Sequence, residues 1–146
     1  MILIGDIGNT DTKICLLNSN YRIIKRLILP TKKINKSLLF KKLNFIKNKK
    51  TFINKSLFCS VVPNKFLLIK SFLQSNLKIK SIELKNLNLN KIMKIKVNRS
   101  QVGSDRLANS IAVISKNNNF IILDFGTATT FDVVIGNLYH GGVIAP

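Results

Sequence analysis

The first thirty residues alternate apolar segments with turn residues, a pattern that is typical of a β-meander. Three apolar segments predict strands over Ile2–Gly5, Lys13–Leu17 and Tyr21–Leu29. A tight turn that contains Gly8 follows the first segment, and Pro30 closes the third. The chain is therefore expected to begin with a three-stranded meander.

The middle of the chain changes to a helical period. Apolar residues three and four positions apart predict an amphipathic helix over Ser37–Ile46, and further helices are expected over Asn64–Leu73 and Ser104–Ser115. Short strands are expected between the helices, over Ser56–Val62 and Lys78–Leu84. Alternating helices and strands of this kind predict an α/β fold with mixed sheets.

A second meander is predicted to begin at Phe120. The strand Phe120–Leu123 is wholly apolar, Phe131–Ile135 is expected to pair with it, and Gly142–Ala145 is the last strand candidate. Residues Asn86–Asn98 are polar and predict no single element. We expect two domains, residues 1–117 and the start of a second over 118–146.

Composition narrows the class of protein. A chain of 146 residues with 46% hydrophobic residues can form a packed core. No apolar run approaches the roughly 20 residues that span a bilayer, and the N-terminus lacks the features of a secretory signal. We expect a cytoplasmic protein without membrane contact. Cys15 and Cys59, isolated in apolar runs, are expected to be buried thiols rather than a disulfide or metal site.

The formal net charge of +18 has two readings. Clustered Lys and Arg bind phosphate backbones, so a basic nucleic-acid-binding protein is one alternative. The excess is almost all lysine, is scattered through the expected helices and strands, and accompanies abundant Asn and Ile. That trio is what an A+T-biased coding sequence produces. We favour compositional bias and do not expect a nucleic-acid partner.

Carboxylates are scarce and clustered, with 6 Asp and Glu against 24 Lys and Arg. Five of the six lie in three glycine-containing segments, and only Glu83 stands apart, where we expect it to be solvated. The segments are Gly5-Asp6-Ile7-Gly8-Asn9-Thr10-Asp11-Thr12-Lys13, Gly103-Ser104-Asp105-Arg106 and Asp124-Phe125-Gly126-Thr127-Ala128-Thr129-Thr130-Phe131-Asp132. The first and third share a strand–Asp–x–Gly–x–Thr pattern, which indicates an internal duplication.

These residue types suit phosphoryl transfer. Glycine lets the backbone approach a ligand closely, and exposed N–H groups with threonine hydroxyls can donate to phosphate oxygens. The hydroxyls considered are those of Thr10, Thr12, Thr127 and Thr129. Asp6 and Asp124 can hold a hard cation, and Lys13 can reach the phosphates.

The segment from Gly103 to Arg106 suits the acceptor side of such a reaction. Asp105 can accept a proton from a substrate hydroxyl, while Arg106 holds an anionic substrate group. Each motif alone has a plainer interpretation. A single Asp-x-Gly-x-Thr is often a strand cap, and Gly-Ser-Asp-Arg is commonly a helix start. Asp132 on its own indicates a structural hydrogen-bonding residue at a strand end. The three motifs in this order favour a site.

At these residues the sequence resembles the type III pantothenate kinases, a bacterial family of the actin, sugar kinase and Hsp70 superfamily. The resemblance also covers Ser60-Val61-Val62-Pro63, the continuation Leu107-Ala108-Asn109 and the closing Gly141-Gly142-Val143-Ile144-Ala145-Pro146. It implies two RNase H-like (actin-like ATPase) halves, usually as a homodimer. The chain ends where family members continue through most of the second half, so we expect a truncated second domain.

The resemblance also implies ATP-dependent phosphorylation of pantothenate, the first step toward coenzyme A, with magnesium and a monovalent cation (K⁺ or NH₄⁺). It assigns Asp6 to Lys13 and Thr127 to ATP, and Gly103 to Arg106 to pantothenate. Asp105 would be the general base, and Asp124 would belong to the monovalent-cation site.

Two positions depart from the family pattern. Lys96 stands where the family often carries a tyrosine, and Arg99 where a proline is common. A non-catalytic regulator on the same scaffold is the remaining alternative, and the intact Asp105 argues against it.

Overall fold

The computed structural model describes residues 1–47, 53 and 55–145. The chain divides into two compact units, Met1–Asn86 and Leu87–Pro146, and each unit has its own sheet. This division comes earlier in the chain than the domain boundary expected after residue 117. That boundary stays a prediction. Pro146, the last residue of the closing family-like segment, lies outside the described residues.

The first unit is built on a five-stranded mixed sheet. Its strands are β1 (Ile2–Ile7), β2 (Asp11–Leu17), β3 (Ile23–Pro30), β4 (Lys55–Ser60) and β5 (Lys80–Glu83). Their order is β3-β2-β1-β4-β5. The first three strands are antiparallel neighbours, which confirms the predicted meander, and β4 and β5 continue the sheet in parallel with β1.

Two helices lie in the connections that parallel strands require. Helix α1 (Lys36–Leu43) begins at Asn35, whose side chain accepts a hydrogen bond from the Leu38 N–H at 2.8 Å. Helix α2 (Pro63–Phe72) begins with a proline, which has no N–H to leave unpaired in the first turn. It contacts β4, β5 and α1.

The core lies on one face of this sheet. Alternate residues of the first two strands are buried, among them Leu3, Ile7, Ile14 and Leu16. The cysteines were expected in the core, and this prediction was wrong. Both are free thiols and only half-buried. Strand alternation turns their side chains to the sheet face opposite the core.

The second unit combines a short parallel strand with an antiparallel meander. Its elements are β6 (Lys94–Ile95), α3 (Ser104–Val113), β7 (Asn119–Phe125), β8 (Thr129–Ile135) and β9 (Leu138–Ala145). The strand order is β6-β9-β8-β7, with β6 parallel to β9 and the other pairs antiparallel. The predicted pairing of Phe131–Ile135 with the strand after Phe120 is confirmed, and α3 contacts both β7 and β8.

None of the helices in the described part of the chain is long and apolar enough to cross a membrane.

The close approach of Gly5 to Phe58 gives a test of the first sheet. A Cβ added at Gly5 would lie 2.2 Å from Cε1 of Phe58, a fully buried ring that cannot easily move. We expect Gly5→Ala to lower the free energy of unfolding by about 1–3 kcal/mol, the usual cost of overpacking. Equilibrium urea unfolding measures this.

Gly126→Ala is the matched control for that substitution, because the nearest atom to its added Cβ is 3.7 Å away, an ordinary contact. We expect its stability to stay within about 1 kcal/mol of the parent protein. A Gly5→Ala protein as stable as this control would contradict the packing described for Phe58.

Candidate functional site

The loop between β1 and β2 is held by hydrogen bonds from inside and outside the hairpin. Within the loop, the Gly8 N–H donates to the Asp11 carbonyl at 3.0 Å. From the end of β3, the Thr31 N–H donates to the Thr10 carbonyl at 2.8 Å, and the Thr31 hydroxyl donates to the Gly8 carbonyl at 2.7 Å. The expected nucleotide loop is therefore held by three hydrogen bonds to its backbone.

Two of the residues expected to bind nucleotide have their side chains in the core. Ile7 and Thr12 are both fully buried, and the Thr12 hydroxyl lies 2.9 Å from the hydroxyl of Thr31. The expectation that the Thr12 hydroxyl donates to phosphate is corrected: strand alternation turns it inward, where it joins the contacts that hold the loop. These residues can meet a ligand only through the backbone.

The remaining side chains of this segment are accessible. Asn9, Thr10 and Asp11 are exposed in or beside the loop. Asp6 and Lys13 face each other across β1 and β2, with Lys13 Nζ 3.8 Å from Asp6 Oδ2 and side chains 57% and 40% exposed for Lys13 and Asp6 respectively. They point away from the core, so a carboxylate and an ammonium group stand together on the open face.

The hairpin of β7 and β8 repeats this arrangement in the second unit. Asp124 lies near the end of β7, and the Gly126 N–H donates to the Ala128 carbonyl at 3.2 Å across the turn. Thr127 is exposed at its tip. The repeated sequence pattern thus occupies two hairpins of the same kind, with an aspartate on the first strand and glycine in the turn.

Asp124 is held from the helix beside it. The Asn109 amide of α3 donates to Asp124 Oδ2 at 2.8 Å. Asp124 pairs with Thr130 on β8, which places both side chains on one sheet face, and the buried Thr130 hydroxyl has no hydrogen-bond partner among the described residues. A carboxylate and a spare hydroxyl suit a monovalent cation, which is bound by oxygen atoms.

No group of three or more His, Cys, Asp or Glu side chains that could enclose a metal occurs among residues 1–47, 53 and 55–145.

The first turn of α3 carries the expected acceptor-side residues. Gly103 is the N-cap, and its backbone precedes a buried Ser104 whose hydroxyl has no partner in the described part of the chain. Asp105 is half-buried, and its Oδ1 accepts a hydrogen bond from the Arg106 N–H at 2.8 Å. A carboxylate in the first turn of a helix is stabilised by the exposed N–H groups there.

Arg106 does not extend toward solvent. Its Nε lies 3.0 and 2.9 Å from Asp132 Oδ1 and Oδ2, and its Nη2 donates to Oδ1 at 2.6 Å. The hydroxyl of Tyr139, on β9, donates to the same Oδ1. The expectation that Arg106 holds a substrate anion is therefore revised: in this structure its guanidinium neutralises Asp132.

Burial makes this cluster of Arg106, Asp132 and Tyr139 energetically important. Asp132 is 1% exposed and Tyr139 fully buried. The hydrogen bond from Arg106 to Asp132 raises the pKa of Arg106 above its ordinary value. Burial, together with the hydrogen bond to Asp132, raises the pKa of Tyr139. Removing one partner of a buried ion pair costs about 3–5 kcal/mol, because the other charge is left uncompensated.

Three contributors to the site were missed or underrated from the sequence. Asn109 lay in a family-like segment but was given no role, and Tyr139 was not considered. Asp132 was predicted to be a structural hydrogen-bonding residue, which is confirmed by its bonds to Arg106 and Tyr139. It lies within β8, however, and not at a strand end. Its spacing of two from Thr130 could have placed it on the same sheet face as Asp124 and Thr130.

Within each unit the structure brings expected residues together. Asp6 and Lys13 meet in the first unit, and α3 joins Arg106 and Asn109 to Asp132 and Asp124 in the second. The nucleotide segment 6–13 and the acceptor segment 103–106 belong to different units.

Solved structures define the fold class. The chain superposes with a TM-score of 0.56 on a Sinorhizobium meliloti protein described as a 2-dehydro-3-deoxygalactonokinase, covering 99% of this chain and 54% of that one at 9% identity. A Cytophaga hutchinsonii structure described as a sugar kinase gives a TM-score of 0.51 at 14% identity, covering 96% of this chain and 49% of that one. The expected α/β fold of the actin and sugar kinase type is thus confirmed.

The sequence comparisons go further. The family model described as type III pantothenate kinase matches residues 2–146. A type III pantothenate kinase of Pelagibacter ubique is 66% identical over 146 residues, and one from a Sulfurihydrogenibium species is 39% identical over 153. The chain belongs to the type III pantothenate kinase family. It is covered completely in both matches but spans only 59% and 60% of those relatives.

The buried tyrosine predicts a loss of stability at alkaline pH. The raised pKa of Tyr139 means that the unfolded chain releases the phenolic proton first, from about pH 10 upward. The stabilisation is complete below that pH and is lost as the pH rises. In a Tyr21→Phe protein, Tyr139 is the remaining tyrosine, and its phenolate absorbance should appear only together with unfolding followed by circular dichroism.

Tyr139→Phe in the same background should make stability depend less on pH above about pH 10, because it removes the phenolic group that titrates there. Phenolate formation at about pH 10 in protein that is still folded would contradict the buried hydrogen bond to Asp132.

Proposed function

We propose that the protein transfers the γ-phosphoryl group of ATP to the primary hydroxyl of pantothenate, giving 4′-phosphopantothenate and ADP in the first step of coenzyme A biosynthesis. The observation that carries this proposal is the placement of Asp105. Its carboxylate is fixed at a helix start within a chain that matches the pantothenate kinase family over nearly its whole length.

On the acceptor side, Asp105 is proposed as the general base. Because Oδ1 accepts the Arg106 N–H, the carboxylate has a defined orientation and its other oxygen can receive the proton of the attacking hydroxyl. The hydroxyl oxygen then bonds to phosphorus as the bond to ADP breaks. Gly103 and Ser104 would contact pantothenate beside it through their backbone, because the Ser104 side chain is buried.

On the nucleotide side, the β1–β2 loop would bind the ATP phosphates. Thr31 holds its backbone in place, and Asn9 and Thr10 are exposed, so that a phosphate group could approach their backbone closely. Lys13 would neutralise phosphate charge, while Ile7 and Thr12 would shape the loop from the core side. Thr127, at the tip of the second hairpin, would complete the nucleotide contacts.

Cations would complete the site. Magnesium bound with ATP neutralises charge on the transferred group, and Asp6 would hold it directly or through water. Asp124 and Thr130 would hold the K⁺ or NH₄⁺ ion. The protein would act in the cytoplasm as a homodimer. Lys96 is exposed where a tyrosine is common in the family, and it would alter the contact to substrate on that side.

The test is Asp105→Asn in the protein expressed from its complete gene. The product, 4′-phosphopantothenate, is measured by mass spectrometry with ATP, pantothenate, Mg²⁺ and K⁺ present. Loss of the base should lower kcat about 10²- to 10⁴-fold while the affinity for ATP stays unchanged. Glu83→Gln is the control and should retain full activity, because Glu83 lies at the end of β5, outside the proposed site. The expectation that Glu83 is solvated was wrong: it is half-buried, and its buried Oε1 has no hydrogen-bond partner among the described residues.

Formation of the product at the parental rate by Asp105→Asn would exclude this carboxylate as the base. No ATP-dependent product from the parent protein, under conditions in which the Pelagibacter relative is active, would refute the proposed function itself.

A further inference from the structure

We propose that Asp132 is a positioning residue for the proposed base, acting through Arg106 to fix the first turn of α3 and hence the carboxylate of Asp105. The inference rests on the proposed function for its catalytic consequence, and on the contacts of the second unit for its structural part.

The first turn of α3 has no side-chain cap of its own. Its N-cap is Gly103, which has no side chain to accept a hydrogen bond from the first turn and caps slightly less well than Ser, Thr, Asp or Asn. The first backbone bond of the helix, from the Leu107 N–H to the Gly103 carbonyl, is 3.2 Å long. Contacts from outside the helix can therefore contribute to the position of this turn.

Arg106 supplies those contacts. Its guanidinium makes a two-pronged bond with Asp132 through Nε and Nη2, and such a fork fixes both distance and orientation. One turn later, the Ser110 hydroxyl donates to the Arg106 carbonyl at 2.8 Å. The residue is thus held at its side chain and at its backbone.

Asp132 is in turn held in place by the sheet. It lies within β8, and the Tyr139 hydroxyl on the neighbouring strand β9 donates to its Oδ1. Both residues are essentially inaccessible, so water does not compete for these bonds and the pair is electrostatically strong. The anchor is consequently part of the rigid sheet.

The last link connects this anchor to the base. The Arg106 N–H donates to Asp105 Oδ1, so the backbone position of Arg106 determines where the neighbouring carboxylate points. A displacement on the order of 1 Å at a reacting group can lower the rate about 100-fold. Asp132 can therefore influence turnover without touching a substrate.

Asp132→Asn is the direct test, in the protein expressed from its complete gene. It preserves the shape of the side chain and removes its charge, which loosens the fork with Arg106. We expect kcat to fall about 10- to 100-fold, with KM for ATP within about twofold of the parent value. Glu83→Gln removes an acid from the first unit and should change neither kcat nor KM.

Hydrogen exchange gives a readout that does not depend on activity. In Asp132→Asn, the amides of Arg106 and Leu107 should exchange at least about tenfold faster, while amides of β1 and β2 keep their parental rates. The exchange measurement tests whether Asp132 anchors the first turn of α3, even if the parent protein proves not to phosphorylate pantothenate.

Tyr139→Phe decides the question if Asp132→Asn does not fold, because it keeps the ion pair and removes one bond to Asp132. It should lower kcat severalfold and speed exchange at Arg106, whereas Tyr21→Phe, an exposed tyrosine, should do neither. Folded variants with parental kcat, or with parental exchange at Arg106, would overturn the proposal and leave Asp132 a stabilising residue only.

Discussion

A buried arginine–carboxylate pair determines how the second unit presents its chemistry. Arg106 on α3 binds Asp132 on β8, and Tyr139 on β9 donates a further hydrogen bond to Asp132. Exposed ion pairs contribute little to stability, but a buried pair that is satisfied on all sides fixes geometry, because either partner alone is costly to bury. Asp105 and Asn109, on the same helix, are placed relative to the sheet by this contact.

The two hairpins use one sequence pattern for two kinds of site. In the first, Asp6 faces Lys13 on the open side of the sheet, and Thr31 fixes the loop from the end of β3. In the second, Asp124 faces α3, where the Asn109 amide occupies one of its oxygens. Under the proposed function, the first arrangement would offer backbone donors and the Lys13 ammonium to an anionic ligand. The second would offer oxygens to a small cation, and the duplicated motif would then have two complementary roles.

Local patterns predicted most of the fold. The strands of both meanders and helices α1, α2 and α3 follow from alternation, helical period and turn residues, each a property of neighbouring residues. Contacts between distant segments were not visible. The two-residue strand β6 exists only because it pairs with β9, and the burial of Thr12 depends on Thr31. The role of Arg106 was predicted wrongly because its partner, Asp132, lies 26 residues further along the chain, where a local pattern cannot reveal the contact.

The central claim is that the nucleotide and the acceptor are bound at the two different motifs, and amide chemical-shift mapping on the intact chain tests it most directly. Mg²⁺–ATP should shift residues 8–13 and Thr127 more than an equal concentration of inorganic tripolyphosphate, the control for general anion binding to a chain of charge +18. Pantothenate should shift Gly103 to Arg106. Shifts by ATP no larger than those by tripolyphosphate, or a pantothenate footprint away from the start of α3, would contradict the account.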